Sequence, residues 1–289
     1  MAGHNSSWAV RDRVLSTEHH TLIMAVVNVT PDSFSDGGHF AASENAIAHG
    51  IDLWEQGADI IDIGGESTRP GADQVPVDEE MSRIVPVVAG LVAHGAVVSI
   101  DTMKPVVAEA AVAAGAHIVN DVTALADPNM VAFCANSDVG VVLMHMQGEP
   151  RTMQDAPSYE NVVSEVATFL EDRAAAVEKE GVSRSRVCVD PGIGFGKSFE
   201  HNLEVLENIG WLVATGYPVL IGASRKRFLG TILQNAGVET APAERDPATA
   251  ATVALAVAGG ASIVRVHNVG HAVQAARTAD AIVRASKRR

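Results

Sequence analysis

The groups able to do chemistry cluster at the ends of short apolar runs. Asn28, Asp62 with Glu66 just beyond it, Asp101, Asn120 with Asp121, His145, Asp190, Ser224 with Arg225 and Lys226, and Arg265 with His267 each close such a run. Asp101, Asn120 and Asp190 offer acceptors plus one amide donor, while Arg265, His267, Lys226 and Arg69 offer cations. Together they suit a ligand with a donor-rich polar ring at one end and an anion at the other. Arg265 and His267 stand on alternate positions of one run, so in a strand both side chains point the same way. A strand end needs some polar residue in any fold, but a hydrogen-bonding group at every one of the run ends argues for a common site.

Several familiar chemistries are excluded. There is no His-Glu-x-x-His and no Gly-x-Ser-x-Gly, and Ser224 has no adjacent base. The stretch 190–198, Asp-Pro-Gly-Ile-Gly-Phe-Gly-Lys-Ser, invites a nucleotide reading. Pro191 stands where a Walker motif needs its first glycine, and the third glycine comes too early for a dinucleotide fingerprint. Its glycines instead shape a loop lining the pocket, with Phe195 placed to stack on a ring. His145 reads as a structural hydrogen-bonding residue rather than a base. What remains is electrostatic and positional catalysis without a covalent intermediate. Two loops, 28–38 and 64–71, are rich in Gly, Pro, Ser and Asp, and they carry Phe34 and Arg69, which ordinary turns do not need.

The runs that must position these groups are apolar and β-branched, as parallel strands buried on both faces require. They cover 22–28, 60–64, 97–101, 117–121, 139–145, 187–190, 219–224 and 263–267. Alanine-rich segments of helical spacing follow at 43–56, 78–94, 104–114, 128–137, 159–180, 200–214, 247–258 and 269–286. The alternation predicts a single α/β unit, a (β/α)8 TIM barrel with mobile loops after its first and second strands. A doubly wound open sheet is the structural rival. Residues 1–20 read as a polar N-terminal extension to a barrel spanning 21–289. Residues 233–245 read as a surface insertion, and 287–289 as a solvated tail.

The chain has 289 residues, with 21 Lys and Arg against 35 Asp and Glu, for a net charge of −14. Such a body repels phosphate backbones, which argues against a nucleic-acid partner. No apolar run of signal-peptide type opens the sequence, and no stretch of eighteen apolar residues suits a membrane span. The two cysteines, Cys134 and Cys188, read as buried reduced thiols of a cytoplasmic protein.

The motifs also carry a family resemblance. NVTPDSFSDGG (28–38), DIGGESTRPGA (62–72), SIDT (99–102), IVNDV (118–122), LMHMQG (143–148), DPGIGFGK (190–197), IGASRKRFLG (221–230) and RVH (265–267) resemble dihydropteroate synthase in order and across nearly the whole chain. The resemblance implies a barrel enzyme, commonly dimeric. It joins 7,8-dihydropterin-6-ylmethyl diphosphate to 4-aminobenzoate and releases diphosphate. It implies Mg2+ at Asn28, bound with the diphosphate, and contact of Thr68 with the dihydropterin diphosphate. Asp101, Asn120, Asp190 and Lys226 would hold the pterin. Arg265 and His267 would hold the diphosphate, with Arg69 reaching in. Ser224, Phe195, Phe34 and Pro70 would surround the aminobenzoate. Loss of diphosphate leaves positive charge on the pterin methylene, which Asp101 would stabilise in an SN1-like path, so Asp101, Lys226, Arg265 and His267 are the expected catalytic set. Two rivals remain: a pterin-using methyltransferase, which needs no diphosphate clamp, and a pterin-binding paralogue without turnover.

Overall fold

The computed structural model describes residues 7–29, 38–67, 74–149 and 152–287. After an N-terminal hairpin, β1 (Ser7–Val10) and β2 (Arg13–Ser16), strands and helices alternate. They run β3 (Leu22–Asn28), α1 (Gly38–Glu55), β4 (Ile60–Gly64), α2 (Val77–Ala93), β5 (Val98–Asp101), α3 (Pro105–Ala113), β6 (Ile118–Asp121), α4 (Pro128–Ala135) and β7 (Gly140–Met144). There follow α5 (Val162–Lys179), β8 (Val187–Asp190), α6 (Phe199–Glu207), α7 (Ile209–Ala214), β9 (Leu220–Ile221), α8 (Arg227–Asn235), α9 (Asp246–Ala258), β10 (Ile263–Val266) and α10 (Val269–Lys287). The eight strands from β3 to β10 form one parallel sheet in the order β8-β7-β6-β5-β4-β3-β10-β9. A parallel bridge from Val189 to Val219 brings the two edges together and rounds the sheet into the expected barrel.

The period of two along a strand sorts its residues between two cores. Ile23, Ala25 and Val27 belong to the large core between strands and helices. Leu22, Met24, Ile60, Val97, Ile118, Val142, Cys188, Leu220 and Ile263 fill the barrel interior. The interior positions nearer the carboxyl ends are polar. By the same parity Asp62 shares the inner face with Ile60, Ser99 and Asp101 with Val97, Asn120 with Ile118, Asp190 with Cys188, and Arg265 with Ile263. Register supports this layering, because Asp62 pairs Ser99, Asp101 pairs Asn120 and Met144 pairs Asp190. The barrel is thus greasy at its floor and polar at its mouth.

Residues 7–16 are not a separate extension, so the expected boundary at residue 20 does not describe them. They form the antiparallel hairpin whose Trp8 and Val10 are fully buried and complete the interior core. The Trp8 indole N–H donates to the Arg186 carbonyl at 2.8 Å. Gly140 lies so close that a Cβ there would stand 2.5 Å from Val10 Cγ1. The strands are short and send only Trp8 and Val10 fully inward, so the hairpin leaves little period-two signal.

Other departures are local. The helix expected at 200–214 breaks at Asn208 into α6 and α7. The reading of 233–245 as an insertion misses α8, which buries Phe228 and Leu229 and runs to Asn235; beyond it, 242–245 form a 3-10 turn. Only Leu220 and Ile221 of the run 219–224 pair as a strand, so Gly222 to Lys226 are left to bend across the barrel mouth. There Arg225 takes a left-handed backbone, φ 59°, held by Asp246 through Nε and Nη2 at 2.7 and 2.8 Å. Of the two loops expected to be mobile, 28–38 and 64–71, residues 30–37 and 68–71 lie outside the described residues.

Trp8→Ala should open a cavity in the barrel floor and orphan the Arg186 carbonyl. Large-to-small changes of this kind cost about 3–5 kcal/mol. A urea melt of the variant should show a loss in that range; a loss below about 1 kcal/mol would contradict a sealing role for the hairpin.

Candidate active site

At the barrel mouth the inward polar side chains meet around one cation. Arg265, on β10, donates from Nε to Asp62 Oδ2 at 2.6 Å and from Nη2 to Asp101 Oδ2 at 2.7 Å. Asn120 Nδ2 donates to the same Asp62 oxygen at 3.2 Å. Strands β4, β5, β6 and β10 are therefore joined by a hydrogen-bonded cluster that no single strand could build. Three of its polar atoms, Asp62 Oδ1, Asp101 Oδ1 and Ser99 Oγ, are buried without a hydrogen-bond partner among the described residues. Buried polar atoms are seldom left so, which makes these candidates for contact with a ligand.

Asp190 stands beside this cluster at the end of β8. Its Oδ1 accepts from the Gly192 N–H at 2.7 Å. Gly222 lies against it, where a Cβ would stand 3.9 Å from Asp190 Oδ2 and 3.8 Å from Arg265 Cβ. Lys226 reaches over from the bend after β9, with Nζ 3.9 Å from the centroid of the Phe195 ring. Ser224 Oγ lies 2.9 Å from His267 Nδ1 and accepts from the His267 N–H at 3.2 Å. Asn28 closes β3 opposite Gly64, its Oδ1 3.6 Å from where a Gly64 Cβ would stand.

Burial sets the charge states. Desolvation pushes Asp101 up to about 7 although Arg265 pulls it down. Asp190 rises to about 6 for the same reason, against the Gly192 N–H and the attraction of Lys226 and Arg265. Burial alone would lower Arg265, but Asp62 and Asp101 raise it overall, so the guanidinium stays charged. Such perturbed carboxylates in a concave polar mouth are typical of catalytic centres.

The expected residues divide clearly. Asp101, Asn120, Asp190, Lys226, Phe195, Arg265, His267, Ser224 and Asn28 all lie at the carboxyl end of the barrel. Phe34, Thr68, Arg69 and Pro70 fall outside the described residues. Three polar run ends serve structure instead. Asp121 caps the turn after β6 by accepting from the Thr123 and Leu125 N–H groups. Arg225 pairs with Asp246, and Glu66 pairs with Lys104. Arg265 pairs with the Asp62 and Asp101 carboxylates through Nε and Nη2, partners that its sequence context did not give. Asp62 was given no ligand role by its sequence context, yet it is fully buried in the cluster and is the more buried of the two Arg265 partners. A carboxylate inside an apolar strand, two residues after Ile60, was the available signal. No group of three His, Cys, Asp or Glu side chains among the described residues could hold a metal ion.

Arg265 neutralises carboxylates that water scarcely reaches. Breaking a buried pair from one side costs about 3–5 kcal/mol. Arg265→Met should show that loss in a denaturant titration, and stability within about 1 kcal/mol of the parent would remove Arg265 from its bridging role.

With this geometry in place, similarity to known proteins becomes informative. Residues 24–267 match the family described as pterin binding enzyme. The chain is 41% identical over 269 residues to the dihydropteroate synthase of Escherichia coli strain K12, covering 93% of this chain and 94% of that protein. Among solved structures, the Xanthomonas albilineans dihydropteroate synthase with 4-aminobenzoic acid superposes with a TM-score of 0.88 at 45% identity, covering 96% of this chain and 98% of the other. The same enzyme in complex with 7,8-dihydropteroate gives 0.84 at 43% identity, covering 94% and 96%. Barrel, inward polar cluster and full-length similarity agree: the chain belongs to the dihydropteroate synthase family of pterin-binding transferases.

Proposed function

We propose that this chain joins a 7,8-dihydropterin-6-ylmethyl group to 4-aminobenzoate, with diphosphate as leaving group. The observation that carries this reading is the set of buried acceptors around Arg265: the free oxygens of Asp62 and Asp101, with Asp190 beside them. An aminopyrimidine edge presents several N–H donors in one plane, and charge-assisted hydrogen bonds to buried carboxylates are the strong kind, each net about 1.5–3 kcal/mol. Asn120 adds a side-chain amide, and Lys226 adds a cation on the Phe195 side.

In the transfer, the methylene C–O bond to diphosphate breaks, the arylamine nitrogen forms the new C–N bond, and one amine proton is released. Positive charge grows on the methylene as diphosphate departs. Asp101, ionised and poorly solvated, stabilises that charge, while Arg265 holds its carboxylate in place. His267, braced by Ser224, supplies a further hydrogen-bonding group at the diphosphate end, with Arg69 and Thr68 assigned there by resemblance. Phe195, with Phe34, Pro70 and Ser224, is assigned to the aminobenzoate.

Mg2+ fits as part of the substrate complex rather than as a resident ion. One amide oxygen at Asn28 suits an ion that keeps several waters and takes its other ligands from phosphate. When bound, Mg2+ would neutralise charge on the leaving diphosphate. The methyltransferase reading lacks support, because the full-length likeness is to synthases. A paralogue without turnover should have decayed loops, whereas NVTPDSFSDGG (28–38) and DIGGESTRPGA (62–72) keep the family pattern.

The polypeptide partner we propose is a second copy. Leu255 on α9 and Ile282 on α10 are 65% and 67% exposed, and they flank a groove lined by Ala254, Ala258, Ala275 and Ala279. An apolar face of this kind is suited to a twofold contact. No helix among the described residues is long and apolar enough to cross a membrane. Cys134 and Cys188 are buried and free, which accords with a cytoplasmic setting.

Three outcomes test these readings. Purified protein with Mg2+ should form dihydropteroate from the two substrates, and a sulfonamide should compete with 4-aminobenzoate; no product at saturating substrate would sink the assignment. Because the ionised form of Asp101 is the active one and burial raises it to about 7 in the free protein, kcat/KM should climb as pH rises through about 7. Asp101→Asn should abolish that limb and lower kcat about 100-fold while leaving pterin affinity less affected; equal losses in both would contradict the charge-stabilising role. Leu255→Asp combined with Ile282→Asp should turn a dimer into a monomer in sedimentation velocity, and an unchanged dimer would place the interface elsewhere.

A further inference from the structure

The loop between β8 and α6 is held by side-chain hydrogen bonds at several of its backbone groups. Gly192, Gly194 and Gly196 all take left-handed backbone, φ 66°, 79° and 58°. A Cβ at Gly192 would stand 2.0 Å from the His145 carbonyl oxygen, and one at Gly196 would stand 2.4 Å from the Gln147 carbonyl oxygen, so only glycine fits. The Gly194 N–H donates to Asn202 Oδ1 at 2.6 Å, and Gln154 Nε2 donates to the Gly194 carbonyl at 2.8 Å. The Tyr159 hydroxyl donates to the Gly196 carbonyl at 2.6 Å.

Lys197 lies at the inner side of this loop and is 2% exposed. Its Nζ is 2.9 Å from His145 Nδ1 and donates to the Phe195 carbonyl at 3.2 Å. Burial, together with the Lys197 charge, drives His145 down to about 3, so its Nδ1 is free to accept. Among the described residues no carboxylate forms an ion pair with Lys197. Burial lowers the ammonium to about 7, with Asp190 opposing and Lys226 assisting the shift. An ammonium so placed costs the fold free energy that an apolar side chain of similar length would not. Its return is the grip on Phe195, whose ring faces the Lys226 ammonium at 3.9 Å.

We propose that Lys197 is a positioning residue for the transfer reaction, acting through the Phe195 carbonyl to hold the Phe195 ring against Lys226. This rests on the proposed function and extends it to a side chain buried behind the pocket. The loop is thereby tied from behind by Lys197 and from the front by the cation–π contact. The nucleophile's ring and the pterin-side cation then share one wall of fixed shape.

The test is Lys197→Met, assayed beside the wild type. The KM for 4-aminobenzoate should rise about tenfold, the loss expected for one charge-assisted hydrogen bond. The thermal midpoint is the folding control, because loss of the buried charge stabilises while the Phe195 carbonyl and His145 Nδ1 left without a donor destabilise. In a Phe195→Leu background the same change should add less than about twofold. As a second measurement, His145→Asn keeps an acceptor near the Nδ1 position and should retain a KM within about twofold of wild type, whereas His145→Leu should not. A wild-type KM in folded Lys197→Met, a tenfold effect that survives in the Phe195→Leu background, or equal KM values for the two His145 variants would each overturn the role. A wild type that makes no dihydropteroate would instead defeat the functional reading itself.

Discussion

The ion cluster of Arg265 with Asp62 and Asp101 is the constraint around which the barrel mouth is organised. A guanidinium on β10 reaches carboxylates on β4 and β5, and Asn120 on β6 joins through Asp62. Each carboxylate would be strongly disfavoured in this interior without its cation. The bonds use one oxygen of each carboxylate and leave the other buried and bare. The same interaction thus stabilises the charges and leaves acceptors of the kind the proposed pterin contact needs. That division explains how a site can be satisfied enough to fold and incomplete enough to bind.

The surroundings tune this cluster by excluding water. Trp8 and Val10 close the floor, and apolar inner residues from eight strands fill the space beneath the polar layer. Low polarity below and on the flanks raises Asp101 and Asp190 towards neutrality. The 190–197 loop adds a rigid wall, since its alternating glycines admit carbonyl groups from the strand β7 end where side chains would collide. Rigid placement of this sort lets dipoles and charges act without reorganising during the reaction.

Much of this was legible in the residues. Alternating apolar runs and alanine-rich segments identify the barrel, because parallel strands buried on two faces and helices covering them have distinct periodicities. Run ends such as Asp101, Asn120, Asp190 and Arg265 identify the mouth, because in this fold strand ends converge there. The hairpin over 7–16 leaves little signal because its strands are four residues each and send only Trp8 and Val10 fully into the core. Helix α8 does carry helical spacing at Phe228, Leu229, Ile232 and Leu233, but it is nine residues long and runs into the Gly- and Pro-containing stretch 237–245, which reads as loop.

Residue types and their spacing determined, without coordinates, the architecture, the face of the barrel that carries chemistry, and the mix of acceptors and cations found there. They could not determine which groups pair. Arg265 and Asp62 are separated by 203 positions, and Lys197 and His145 by 52. Such partners are chosen by strand order, register and the packing of neighbouring loops. Local sequence governs period and turn, whereas distance across a closed sheet is a property of the whole chain. The tertiary structure therefore decided that Arg265 serves carboxylates, that Asp62 is its deepest partner, and that a lysine from a glycine-rich loop ends up buried against an imidazole.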